Sequence, residues 1–402
     1  MNRSFKFLKN VGPAAIITGA FIGPGTLTTT MQAGRLYGHA LLWAVVFSGI
    51  ASLVLMNMNT RLAVAHQQSI LDAIRTQFRS HPRVRRLFLV ALGLVALLSG
   101  LGFEAGNLMG ASVGFVGFSG LPQNLTVILL ALSCSIALLY STPKGVEWLM
   151  KIFVTLMGLL FVVTTFFVRP SLIEVARGLR PSVPEGAWLM TLALIGTTII
   201  AINLIFHSLA SVDRWTSKDQ LSDAYLDTRV HLGLGLAITL ALVILAAQLP
   251  FDSQAPLSPL LFAKVLEVTL GTFGAPLAAF GLFCAGVSSA IATPYMVGVI
   301  VERLVSVKPS PRLRKGVALS LLWLGTFFAY RQTSPVPFIL AAQAFSGVML
   351  PLIAFLIVSA TSRKAMGLYR NSPFQQIMGW SVFGVLILLG ARLVWNVMTT
   401  LL

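Results

Sequence analysis

Ile22-Gly23-Pro24-Gly25-Thr26 stands in the middle of an apolar run from Val11 to Ala33. Proline removes a backbone donor and clashes with the preceding helical turn, and the two flanking glycines take away helical stiffness. A helix crossing this stretch is expected to unwind. A second, weaker interruption lies at Gly196-Thr197-Thr198, followed by Asn203, in the run from Ala187 to Leu209. No proline accompanies it. Freed backbone groups in hydrocarbon cost several kcal/mol each unless protein or water satisfies them. Two interrupted spans in matching positions therefore point to an inverted-repeat transporter with its site at the midplane. A proline-kinked structural helix with packing threonines is the plainer alternative.

The rest of the chain places these two breaks. Of 402 residues, 56% are hydrophobic and 10% charged, against about 25% charged in soluble chains. Mean hydropathy is +0.86. A soluble enzyme, a disordered chain and a nucleic-acid reader are excluded. About eleven runs are long enough to cross a bilayer. They extend over Val11–Ala33, Ala40–Leu62, Leu87–Val116, Leu125–Tyr140, Val146–Val168, Ala187–Leu209, His231–Leu249, Gly274–Ile300, Val317–Tyr330, Val336–Ala360 and Ile377–Met398. The broken runs are thus the first of two blocks of five, about 11–168 and 187–360, with one extra helix at 377–398. No loop is long enough for a soluble domain, so residues 1–402 read as one transmembrane domain.

The net charge of +17 comes from Lys and Arg scattered singly between apolar runs. On this span map 22 of the 29 fall on one side. The other seven are Arg35, Arg169, Arg177, Arg180, Lys264, Arg331 and Arg392. This bias puts the N-terminus in the cytoplasm and the C-terminus outside. The segment Met1-Asn2-Arg3-Ser4-Phe5-Lys6 lacks a convincing cleavage site and is read as retained. Cys134 and Cys284 sit in apolar runs and suggest neither a disulfide framework nor a metal cluster.

Eleven of the 12 acidic residues read as loop or span-end residues; Glu104 alone sits deep in a span. Such a charge costs about 2.5–3.5 kcal/mol on insertion scales and commonly marks an ion or proton path. Glu104 is either a protonation or cation-attracting site, or a protonated residue tied into helix packing. His207 is equally a proton relay or an interfacial histidine bonded to a carbonyl. Gln343, Ser288 and Ser289 are polar and uncharged, and interhelical hydrogen bonding is the plainer reading of the serines. An aspartyl protease or prenyltransferase needs clustered spanning aspartates, and an ATP-driven pump needs a Walker lysine. Neither pattern is found, so no enzyme is expected.

These residues, in order and spacing, resemble the Nramp family of divalent-metal transporters along nearly the whole chain. The carriers are Val11-Gly12-Pro13-Ala14-Ala15, Gly23-Pro24-Gly25-Thr26 and Gln32-Ala33-Gly34 in the first span. Next come Gly178-Leu179-Arg180-Pro181, and the stretch from Gly196 to Ser208, similar to G-A-T-V-M-P-H-N-L-Y-L-H-S. Ala285-Gly286-Val287-Ser288-Ser289, Gln343, Leu350-Pro351 and Met366-Gly367 complete the pattern. The resemblance implies an all-α membrane protein with a LeuT-type five-plus-five inverted repeat and broken helices 1 and 6. It implies a secondary transporter moving a divalent metal cation as substrate, with no permanently bound cofactor, in a bacterial inner membrane. The expected partners are the lipid bilayer and a small inorganic cation, with no nucleic acid, and the oligomeric state is left open, a monomer being one reading.

The resemblance also implies a modified site. The family's metal-binding aspartate falls on Gly23, its asparagine on Thr26, its methionine on Ile200 and its carbonyl-donating alanine on Thr197. The acidic pair of the third span appears as Glu104 and Asn107, while Asn203, His207 and Gln343 are retained. The candidate substrate residues are thus Gly23, Thr26, Thr197, Thr198, Ile200 and Gln343. Candidates for a proton or cation pathway are Glu104, Asn107, Asn203 and His207. Without the aspartate and the thioether, the expected donors are neutral oxygens, which compensate a dehydrated divalent ion poorly. The ion then stays partly hydrated, draws on Glu104, or is replaced by another cargo. A sensor or scaffold that kept the fold without transport is the alternative from a different class.

Overall fold

The computed structural model describes residues 12–140, 142–248, 266–267, 270–306, 309–331 and 336–401. The expected start of the first span at Val11 and the end of the seventh at Leu249 lie outside these residues. So do Arg3, Lys6, Lys9, Lys264 and Lys308 of the charge argument. The described residues form fifteen α-helices and short 3-10 turns, with no strand among them. Eight helical segments are long and apolar enough to span a membrane.

The first span is two helices, α1 (Ala14–Phe21) and α2 (Pro24–Tyr37). α3 (Leu42–His66) follows, then the short α4 (Ile70–Gln77), which carries a Ser69/Asp72 capping box. α5 (Pro82–Ser119), α6 (Gln123–Tyr140) and α7 (Pro143–Val168) complete the first repeat. α8 (Leu172–Gly178) leads to the sixth span, again two helices, α9 (Trp188–Thr198) and α10 (Ala201–Arg214). α11 (Leu221–Ala246), α12 (Gly274–Val305), α13 (Pro311–Arg331) and α14 (Val336–Thr361) complete the second repeat, and α15 (Pro373–Leu401) is the extra helix.

The most extensive packing joins α5 to α12. Small residues allow it, as is usual where helices cannot gain by shedding water. A methyl on Gly114 would lie 2.5 Å from the Phe283 backbone nitrogen, and one on Gly286 would strike Ala111. Both broken spans pack against this pair.

Both breaks are real, and both are displaced from the expected residues. In the first span the non-helical residues are Ile22 and Gly23, the latter extended at φ −94°. Pro24 and Gly25 already belong to α2, because proline at the first helical position loses nothing by lacking an N–H. In the sixth span Gly196 to Thr198 are the last turn of α9, and the break is Ile199-Ile200, both extended. The cause is remote in sequence. The Ser346 hydroxyl of α14 accepts the Ala201 N–H at 3.0 Å and so caps the start of α10.

Two further residues depart from their expected places. The seventh span begins at Leu221, ten residues before His231, so Asp227 lies inside a helix and is 1% exposed. Its carboxylate accepts the N–H groups of Gly12 at 2.8 Å and Ala14 at 3.3 Å, and it also meets His231 Nδ1 at 3.0 Å. It thereby caps α1 from another helix. Glu302, near the end of α12, is likewise buried.

Candidate functional site

The two breaks line one cavity. Its walls include Gly23, Gly25 and Thr26 at or beside the first break, and Thr197, Ile200 and Asn203 at or beside the second. Phe103 and Asn107 of α5, Thr293 and Met296 of α12, and Gln343 of α14 close it. The volume is about 20 Å3, enough for about one water-sized body.

Helix ends set the field. α1 and α9 point their C-terminal ends at the cavity, which favours a cation, while α2 and α10 begin there and oppose it. The freed carbonyls of α1 are already occupied. Ser289 donates to Gly19 and Ala20, each at 3.0 Å, Ser288 donates to Gly19 at 3.1 Å, and Thr26 donates to Phe21. The interhelical role expected of the serines is thus a specific one: they hold the unwound end of α1. The last carbonyls of α9, from Gly196 to Thr198, have no following turn to receive donors.

The hydroxyl and amide groups lining the cavity mostly have their hydrogens committed elsewhere. Thr26 donates to Phe21, Thr197 donates to Leu194 at 2.8 Å, and Asn107 Nδ2 donates to Thr293 at 3.4 Å. The remaining capacity of the two hydroxyls is to accept, while Asn107 keeps a second N–H beside its acceptor oxygen. Gln343 Oε1 has no partner among the described residues, although the side chain is only 7% exposed. Asn203 Nδ2 is an unpartnered donor in the same wall. The cavity is therefore rich in lone pairs without a carboxylate among its described lining residues.

Of the ten candidate residues, seven meet here: Gly23, Thr26, Asn107, Thr197, Ile200, Asn203 and Gln343. Thr198, Glu104 and His207 do not. Thr198 is buried with an unpartnered hydroxyl outside the cavity. Glu104 turns away from its neighbour Phe103 and lies against α13, where a methyl on Gly325 would come within 2.6 Å of Glu104 Cγ. Neither of its oxygens has a hydrogen-bond partner among the described residues. His207 pairs through Nε2 with the Thr228 hydroxyl of α11 at 3.2 Å, rather than with a carbonyl. Asn107 and Asn203, read from the sequence as pathway residues, line the cavity itself.

Sequence reading missed Ser346, Asp227 and Met296. Met296 puts a thioether-bearing residue in the cavity wall, where the sequence reading weighed only position 200. Its signal was available: Ser289, Thr293 and Met296 recur at intervals of four and three, hence on one helix face.

Two interrupted helices around one cavity, in two blocks of five spans, define a multi-pass membrane protein of the LeuT-type fold. The family described as natural resistance-associated macrophage protein-like, Nramp, matches residues 14–396, and the chain belongs to it. It is 24% identical over 410 residues to the divalent metal cation transporter MntH of Brucella suis, covering 96% of this chain and 88% of that protein. A crystal structure of the Eremococcus coleocola manganese transporter superimposes with a TM-score of 0.79 at 21% identity, covering 97% of this chain and 87% of the other. The structure of MhsT in complex with L-phenylalanine gives 0.66 at 15% identity, covering 95% and 97%. Both likenesses concern the fold.

Proposed function

We propose that this protein is a secondary transporter that moves a divalent metal cation across the membrane by alternating access. The observation that carries the reading is the convergence of acceptor oxygens from both helix breaks on one buried cavity. Membership of a metal-transporter family and similarity to MntH support it. The cation passes as substrate, not as resident cofactor, and no enzymatic step is needed. We place the chain in a bacterial inner membrane with its N-terminus cytoplasmic, on the bias of its basic residues. Residues 1–402 act as one domain, with repeats at about 11–168 and 187–360 and an extra helix at 377–398. It contacts lipid and a small inorganic cation.

The cavity's size bears on the ion. Magnesium usually keeps several waters, and a space of about 20 Å3 holds about one. A largely dehydrated ion fits this state better. Its charge is compensated by neutral oxygens, since Glu104 is not in the wall and the facing helix ends oppose one another. Uptake into liposomes of magnesium, manganese, iron and calcium tests the proposal. Uptake of at least one ion above protein-free vesicles is expected. Absence of uptake for all four would favour the scaffold reading, to which the lack of a lining carboxylate already gives some weight.

Glu104 is assigned to a proton path beside the cavity, reached along α5 from Asn107. Glu104→Gln is expected to flatten the dependence of uptake on external pH while leaving the protein folded. A profile identical to the parent's would reduce Glu104 to packing against Gly325.

A further inference from the structure

We propose that the Met296 thioether is a ligand of the transported cation, supplied from α12 instead of from the sixth span. The inference rests on the reading of the cavity as the cation site. Met296 is 1% exposed and lines the same cavity as Thr26, Asn107, Thr197 and Gln343. Ile200, the position to which the family resemblance assigns a methionine, faces that cavity too but offers only hydrocarbon. The two residues thus stand in one small space, on opposite elements, and exchange the apolar and the soft role.

The surroundings show that the sulfur is not simply filling a gap among hydrocarbons. Gln343 Oε1 is buried in the same wall with no hydrogen-bond partner. Asn107 Oδ1 lies 3.1 Å from where a Gly23 side chain would begin, and its Nδ2 is turned to Thr293, one turn before Met296. A thioether has no hydrogen to donate and cannot satisfy the Gln343 oxygen. A cation satisfies it, with Asn107 Oδ1 close by as a further neutral oxygen, and sulfur beside neutral oxygens suits a borderline or soft divalent ion over calcium or magnesium.

The expected consequence concerns selectivity more than folding. Cadmium serves as the probe because it is divalent and sulfur-seeking. X-ray absorption of cadmium bound to the detergent-solubilised full chain should show a sulfur shell that is lost in Met296→Leu. The same variant, similar in volume, should lower the ratio of cadmium or manganese uptake to calcium uptake by about tenfold. Ile200→Met added to it should recover much of the ratio, which a packing role for Met296 would not explain. If Met296→Leu fails to fold, the sulfur shell of the parent and Met296→Ile carry the test. Uptake by the parent with no sulfur shell, or an unmoved ratio, overturns the assignment of Met296 while leaving metal transport intact. Absence of binding and uptake of every divalent ion in the parent overturns both.

Discussion

Asp227→Ala is expected to destabilise the protein by about 3 kcal/mol, among the largest losses from any single polar change here. The carboxylate is buried, accepts the backbone N–H groups of Gly12 and Ala14, and pairs with His231. Removing it leaves the first N–H groups of α1 without an acceptor and His231 without its carboxylate partner, and each hydrogen bond to a charged group is worth about 1.5–3 kcal/mol. Asp227→Asn keeps one acceptor oxygen and should fall between. Because α1 is only eight residues long, it cannot hold its place by its own hydrogen bonds. Thermal unfolding in detergent reads the effect as a lowered midpoint, largest for alanine. Equal midpoints for all three proteins would show that α1 is held by packing alone.

Gly23→Asp is expected to abolish transport rather than restore a stronger site. On the sequence alone, adding this aspartate with Ile200→Met looks like a repair that should raise manganese binding. The structure shows what stands in the way. A β-carbon at position 23 would meet Ser289 Oγ at 2.7 Å and Asn107 Oδ1 at 3.1 Å, and Ser289 is the residue that holds Gly19 and Ala20. The aspartate can enter only by displacing that hydroxyl, which frees the Ala20 carbonyl in a buried place and leaves Gly19 with Ser288 alone. A carboxylate beside Asn107 Oδ1 adds repulsion until a cation arrives. Ile200→Met alone is a swap of similar apolar volume and should be tolerated. Calorimetry with manganese and uptake assays on the two single changes separate them. Folded, transporting Gly23→Asp would mean that the first break yields enough to admit a side chain beside Ser289.

The fold was legible because its cause is local. Gly23-Pro24-Gly25 breaks a helix wherever it stands, and eleven apolar runs set the two blocks. The second break was legible only as to its span. Gly196 suggested the place, yet glycine tolerates a helix, and the chain opens at Ile199-Ile200 because Ser346, some 145 residues away, takes the Ala201 N–H. Asp227 was hidden for a related reason. Asp223, Asp227 and Arg229 depress the hydropathy ahead of His231, so the helix seemed to start after them. Most of the candidate site came from residue-by-residue resemblance, which cannot reveal a ligand at a new position. Met296 read as one more apolar residue of the eighth span until the cavity placed it opposite Ile200.

The central claim is that the cation occupies the cavity between the two helix breaks, and manganese uptake by Gln343→Leu against the parent tests it most directly. Gln343 faces that cavity, and its Oε1 has no hydrogen bond within the described protein to lose. The substitution should therefore spare folding and remove one cation ligand. The account predicts manganese uptake by the parent and a fall of about tenfold or more in the variant, with unfolding midpoints unchanged. Equal uptake by the two folded proteins would contradict it and move the cargo to another part of the molecule.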